Sequence, residues 1–280
     1  MRSDNRKFKF ICNWGVPVIV TITFAILLRI LVLDVFQVPT SSMEPTLLPG
    51  DIIVISKLNY GARIKKLSKL IKQGEIDFYR LPGLCIVREG DIFVFNSHKI
   101  NYFNEAVYDN YNYIAVKRCY TTPGHFTIIK NDIKKNDTNG SNESDLFPRC
   151  FRNIWSLDDY GPLYVPAHDD SIRLTNINIQ IYKHIILTED PNNQINDSTL
   201  LWEGNIIPYY KFKRDYYFVL GDNFSNSIDS RNWGFVADKD IIGRVVMVLC
   251  SFNDTKRGFE KIRFNRILKI DFDKTNEISN

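Results

Sequence analysis

The 280-residue sequence predicts a mainly β protein: an antiparallel β-sheet domain with an inserted smaller β-rich domain, preceded by one N-terminal transmembrane helix. Three observations support this. Aromatic residues make up 13% of the chain, and Val and Ile are plentiful, which favours strands. A Gly-Asp turn followed by a short apolar run occurs as GDIIVI at 50–55 and again as GDIFVF at 90–95. A long uncharged stretch, FICNWGVPVIVTITFAILL at 10–28, precedes both, and no second one follows. The hydrophobic content of 44% is that of a globular protein and excludes wholesale disorder. The net charge of +4 is spread along the chain, so there is no concentrated basic face for nucleic acid.

The uncharged stretch is close to the roughly 20 residues that span a bilayer as a helix. Residues 1–9 read as a basic cytoplasmic N-terminus, with Arg2, Arg6, Lys7 and Lys9 against one Asp. Lys and Arg are retained on the cytoplasmic side, so the rest of the chain crosses. Residues 10–33 are then the anchor, and Arg29 near its end can snorkel to the headgroups. A cleavable leader would have a shorter apolar region and an A-x-A-like site before Asp34, and neither is present. A buried core helix would show a stripe, whereas this segment is apolar on every side.

The first domain comprises residues 34–129 and 215–270. Its strands are IIVIS, introduced by Pro-Gly-Asp, then DIFVF, then YNYIAVKRCY ended by TTPGH, and finally DYYFVL and GRVVMVLCSF. The basic stretch RIKKLSKLIKQ at 63–73 is expected to form a short amphipathic helix near anionic lipid or a solvated surface segment. Between 130 and 214 the composition shifts to Asn, Asp and Ser clusters with isolated apolar residues, which marks the inserted domain with a loose entry loop. Residues 271–280 are a polar tail. Helical periodicity is weak throughout the part beyond the anchor.

No cofactor is expected. Five cysteines (Cys12, Cys85, Cys119, Cys150, Cys250) include no CxxC pair, and four scattered histidines form no ligand pair, so no metal site is expected. The odd count leaves at least one thiol unpaired, with Cys12 in the anchor as the natural one. The sequence does not assign any disulfide.

The chemistry centres on TSSMEPTLLPGD at 40–51 and on Lys117. A serine hydroxyl is a poor nucleophile until a base takes its proton. No histidine stands in a suitable setting. A lysine serves if burial lowers its pKa, and Lys117 follows Ile114, Ala115 and Val116 on a strand-like run. Singly, Ser42 reads as a turn serine and Lys117 as a solvated strand end. Together they form part of an ordered set: SSMEPTLLPGD, GDIFVF, AVKRCYTTPGH and GDNFSNSIDSRNWGFV, directly after a membrane span.

This constellation resembles the bacterial type I signal peptidases, or leader peptidases, which are Ser/Lys-dyad serine proteases. The resemblance covers the anchor and four blocks across 37–244. It implies Ser42 as nucleophile and Lys117 as general base, acting through an acyl-enzyme. It implies an oxyanion hole from the Ser42 N–H and the Thr40 hydroxyl. Ser227 would orient the lysine, and Asp229 and Arg231 would form a supporting ion pair. Phe36, Val38, Pro39, Met43, Leu47 and Val116 would line shallow substrate pockets, or else be plain core. The implied partners are secretory preproteins, membrane lipid and, by proximity, the secretion translocon. The implied location is the bacterial inner membrane, single-pass, with the catalytic domain periplasmic.

The sequence departs from the family pattern at Thr121, in place of a glycine, at His125, in place of an aspartate, and at Phe224, in place of a basic residue. Cys119 is a further unexpected residue. Two other readings compete. A self-cleaving repressor shares the Ser/Lys chemistry but carries a DNA-binding head where this chain has an apolar segment. A catalytically inactive, membrane-anchored β-rich binding protein derived from a peptidase would be free to lose part of the Ser42, Lys117, Ser227 set, which is intact here.

Overall fold

The computed structural model describes residues 15–65, 78–101, 106–130, 146–190, 193–196, 199–202 and 205–270. The basic N-terminus, the first residues of the apolar run, most of the basic stretch at 63–73, the entry loop at 131–145 and the polar tail lie outside the described residues.

Helix α1 spans Val16–Leu31, with a proline in its first turn, where the missing N–H costs nothing. No residue of this helix is buried, and its apolar side chains, among them Ile19, Val20 and Phe24, stand exposed. Its 16 residues rise about 24 Å. Among the described residues, no helix is long and apolar enough to cross a membrane. The helix ends two residues before the expected boundary, because Leu33 already belongs to strand β1, Leu33–Gln37. Lys57 fixes this exit: its Nζ donates to the Arg29 carbonyl at 2.9 Å and pairs with Asp34 at 2.7 Å.

In chain order there follow β2 (Asp51–Ser56), β3 (Arg63–Lys65), β4 (Phe78–Arg80), β5 (Ile92–Asn101), β6 (Ala106–Thr121) and β7 (Phe126–Lys130). The inserted region contributes β8 (Asp159–Tyr164), β9 (Ser171–Arg173), helix α2 (Asn176–Glu189), β10 (Gln194–Asn196), β11 (Thr199–Trp202), β12 (Asn205–Ile206) and β13 (Tyr209–Lys211). The chain closes with β14 (Tyr216–Leu220), the short helix α3 (Ser230–Trp233), β15 (Val236–Ala237) and β16 (Ile241–Ser251).

Seven strands form one sheet in the order β1-β2-β16-β5-β6-β14-β15, and every pair is antiparallel. The expected strands of the first domain all fall in it. Strand β6 is interior: Lys117 lies opposite Phe93 of β5, and Arg118 lies opposite both Ile92 of β5 and Leu220 of β14. The β14 register breaks between Phe218 and Val219. The extra residue is Tyr120 of β6, so β6 is the strand this bulge bends, opposite the run into the Gly221-Asp222-Asn223 turn.

Among the described residues, three apolar clusters make the core. One lies under residues 38–47 and joins Val38, Met43 and Leu47 to Ile53, Val94 and Val248. A second is aromatic and includes Phe93, Phe95, Cys119 and Val219. The third joins the inserted region to the sheet: Ile129, Phe147, Tyr160 and Ile186 pack with Tyr216, Phe218 and Ala237.

Two local expectations change. Residues 63–65 form a strand paired antiparallel with β4, not the start of an amphipathic helix. The inserted region also holds a 14-residue helix, α2, which weak periodicity had hidden. Its sequence begins N-I-N-I-Q-I, an alternation with the strand period, and its β-branched Ile residues are poor helix formers. Burial of Ile181, Tyr182, Ile185 and Ile186 in the third cluster overrides both, and the Thr175 hydroxyl caps the start by accepting from the Asn178 N–H at 3.2 Å.

After β16 the chain turns back over the loop that follows Ser42. Arg266 donates to both carboxylate oxygens of Asp51, at 3.1 and 2.5 Å, and to the Thr46 carbonyl at 2.8 Å. Arg263 reaches the Pro49 carbonyl at 2.9 Å. Gly50 has φ +89°, and a Cβ there would sit 2.0 Å from the Phe252 carbonyl oxygen, so only glycine fits this crossing.

Candidate active site

Ser42 lies in a single 3-10 turn, Ser41–Met43, held from below by the buried Met43 side chain. The turn is gripped from the other side by the segment after β14. The Asn223 N–H donates to the Ser42 carbonyl at 3.1 Å, its side-chain amide to the Ser41 carbonyl at 3.1 Å, and the Asn226 amide to the Ser41 hydroxyl at 3.0 Å. The Thr40 and Ser42 hydroxyls stand 3.4 Å apart.

Lys117 is 5% exposed, in the middle of the sheet. Strand alternation puts it on the face of Ala115 and Cys119, against the buried Phe93. Its Nζ donates to the Ser227 hydroxyl at 2.8 Å. Burial pushes the amine down from 10.5 to about 8; the charge of Asp229 acts against this, that of Arg231 with it, and that of Asp222 against it. A substantial fraction of such a lysine is neutral at mildly alkaline pH.

Gly221 joins the two halves. A Cβ there would lie 2.1 Å from the Ser227 hydroxyl oxygen and 2.5 Å from the Ser42 carbonyl oxygen. The serine turn and the lysine's partner therefore converge on one point that no side chain can occupy. The Gly221 N–H donates to Asp229 at 3.1 Å. Asp229 also takes a bidentate pair from Arg231, Nε at 2.9 Å and Nη2 at 2.9 Å, and it caps helix α3 by accepting from the Arg231 N–H. The structure thus places Ser227, with Lys117, Asp229 and Arg231 around it, on one side of Gly221 and the Thr40–Ser42 turn on the other.

Of the six residues named for substrate pockets, Val38, Met43 and Leu47 are fully within the core beneath the turn. Phe36 and Val116 pack against that core while keeping exposed surface, and Pro39 is exposed.

Three features of the site are not legible in the sequence: Gly221, the arginine clamp of Arg266 on Asp51, and the fork of Arg118 on Asp222 at 2.8 and 2.8 Å, which ties β6 to the glycine turn. The glycine stood in plain view beside Asp222, but only the packing shows what fills its space. Among the described residues no group of His, Cys, Asp and Glu could hold a metal ion. The four described cysteines are free thiols.

The model of the signal peptidase family, peptidase S26, matches residues 11–149 and 163–250. The chain belongs to that family. It is similar to a protein named signal peptidase I from Buchnera aphidicola of Baizongia pistaciae, 33% identical over 79% of this chain and 71% of that protein. The protein of that name from Buchnera aphidicola of Schizaphis graminum is 31% identical over 88% of this chain and 78% of its own length. The one from Helicobacter pylori strain J99 is 25% identical over 84% and 80%. Membership makes the chain a hydrolase of the signal peptidase class.

Within this signal peptidase scaffold the departures find local explanations. Thr121 lies at the end of β6 without a positive φ, so the missing glycine causes no strain, and its hydroxyl accepts from Thr127 at 2.9 Å. The His125 ring closes the turn on the Thr122 hydroxyl and the Pro123 carbonyl, at 3.2 and 3.0 Å. Cys119 is buried among aromatic residues, and burial pushes its thiol pKa up, away from reactivity.

Proposed function

We propose that this chain is a membrane-anchored serine endopeptidase that removes N-terminal signal peptides from secreted preproteins, with Ser42 as nucleophile and Lys117 as general base. The observation that carries the reading is the Lys117 amine: buried, pushed down to about 8, and hydrogen-bonded at 2.8 Å to a serine that meets the Ser42 turn across Gly221.

Neutral Lys117 takes the Ser42 proton as the oxygen attacks the scissile carbonyl. The Ser42 N–H and the Thr40 hydroxyl stabilise the resulting oxyanion. The Lys117 ammonium then protonates the leaving amine, and the mature protein departs. Neutral again, Lys117 takes a proton from water, which cleaves the acyl-enzyme and releases the signal peptide. Ser227 accepts from the lysine throughout, so the amine is buried with a partner. Asp229 and Arg231 hold the Ser227 segment. Phe36, Pro39 and Val116 supply pocket walls, with Val38, Met43 and Leu47 as the floor beneath them, which favours small substrate side chains.

The exposed apolar α1 and the uncharged run at 10–28 support a single anchor, with the N-terminus cytoplasmic and residues 34–129 and 215–270 acting as the catalytic domain outside the cytoplasm. The catalytic turn then stands a few residues beyond the bilayer, where a substrate's apolar signal helix ends. The test is cleavage of a preprotein whose signal ends in Ala-x-Ala, by the purified chain and its Ser42→Ala variant in detergent. Wild type alone should yield the mature N-terminus. Equal cleavage by both, or by neither while both are folded, overturns the reading.

A further inference from the structure

Arg231 is the largest fully buried side chain of the described residues, and its surroundings go beyond its pair with Asp229. One face of the guanidinium is covered by the Phe224 ring, whose centroid is 3.8 Å from Cζ. Nη2 donates to the Phe224 carbonyl at 2.8 Å, and Nη1 to the Leu157 carbonyl of the inserted region at 3.3 Å. The Arg231 carbonyl accepts from the Phe147 N–H of the same region at 2.7 Å. Phe224 opens the 3-10 turn Phe224–Asn226, which lies between Asn223, bonded to Ser42, and Ser227, bonded to Lys117. At this position the resemblance leads one to expect a basic residue, which would set a like charge beside Arg231. This chain sets an aromatic face there.

We propose that Phe224 is a positioning residue of the catalytic site: its ring seats the Arg231 guanidinium in a socket completed by the inserted region, and so fixes the segment from Asn223 to Asp229 that aligns Ser42 with Lys117. A guanidinium is weakly hydrated and stacks on ring faces, so the ring covers a face of Arg231 that makes no hydrogen bonds. The charge of Arg231 also opposes that of Asp229 at the Lys117 amine. Loss of the ring lets the guanidinium shift and water enter. Both changes favour the protonated lysine, so they move the acidic limb of the rate profile to higher pH.

The inference rests on the dyad reading above, and the test separates the two. Wild type, Ser42→Ala, Phe224→Leu and Phe224→Tyr are assayed for preprotein cleavage across pH. In parallel, reductive methylation of Lys117 is followed across pH by peptide mass mapping, which needs no activity. Phe224→Leu should lose about 10-fold in kcat with KM little changed, and its acidic limb and methylation midpoint should both rise by about half a pH unit. Phe224→Tyr, which keeps the ring, should behave as wild type. If Phe224→Leu keeps the wild-type midpoint, or if Phe224→Tyr is equally impaired, the inference fails. Wild-type cleavage that survives in Ser42→Ala sinks the dyad reading instead, while the methylation midpoints still decide the role of Phe224.

Discussion

Replacing Lys117 by methionine should stabilise the protein while abolishing its activity. The substitution keeps the length and apolar stem of the side chain and removes the amine. Lys117 titrates near 10.5 when the chain is unfolded and near 8 when it is folded, so the folded state resists protonation. That difference corresponds to about 3 kcal/mol of destabilisation. The sign follows from proton counts: between pH 8 and 10.5 the unfolded chain holds the proton and the folded one does not, so stability rises with pH across that window. The full penalty applies below pH 8, and it vanishes above 10.5. Urea unfolding of both proteins in the same detergent, followed by tryptophan fluorescence, measures the difference. The lost bond to Ser227 takes back about 1 kcal/mol, so Lys117→Met should be more stable by about 2 kcal/mol at pH 7, and this excess should shrink as pH approaches 10.5. An excess that is absent at pH 7, or the same at every pH, would refute the claim that burial is what lowers the amine.

Two further substitutions probe the geometry. Gly221→Ala puts a methyl group where the Ser227 hydroxyl and Ser42 carbonyl oxygens already stand, 2.1 and 2.5 Å away. It should cost about 1–3 kcal/mol of stability and about 100-fold in kcat, read by urea unfolding and single-turnover cleavage; activity within threefold of wild type would contradict the close approach. Ser227→Ala leaves the buried Lys117 amine without its acceptor, a cost of about 1–3 kcal/mol that should lower kcat/KM by about 10- to 100-fold in steady-state assays. An unchanged rate would remove Ser227 from the account.

Much of the sheet was legible because its strands announce themselves. Gly50-Asp51 and Gly90-Asp91 turn into continuous apolar runs, and such runs are what an interior strand buried on both faces requires. Lys117 was legible as a candidate because the residues just before it on the strand are apolar. What escaped were features that exist only after packing. Strand β1 was not marked as a strand, since nothing in Leu33-Asp34-Val35 signals the change from helix to edge strand before it pairs with β2, and only Leu33 of it fell within the expected anchor. Helix α2 was hidden by Ile residues in strand rhythm. The Arg266–Asp51 clamp joins residues 215 positions apart, and the local sequence at neither end points to the other. Phe224 looked like a defect in a motif, and only the ring's place over Arg231 gives it a reason.

The pH dependence of kcat/KM for preprotein cleavage tests the central claim most directly. If a neutral Lys117 activates Ser42, the rate rises with pH along an acidic limb centred near 8, the value to which burial brings the amine. A limb centred near 6.5, the range of an ordinary histidine, or a rate independent of pH between 6 and 9, would contradict it.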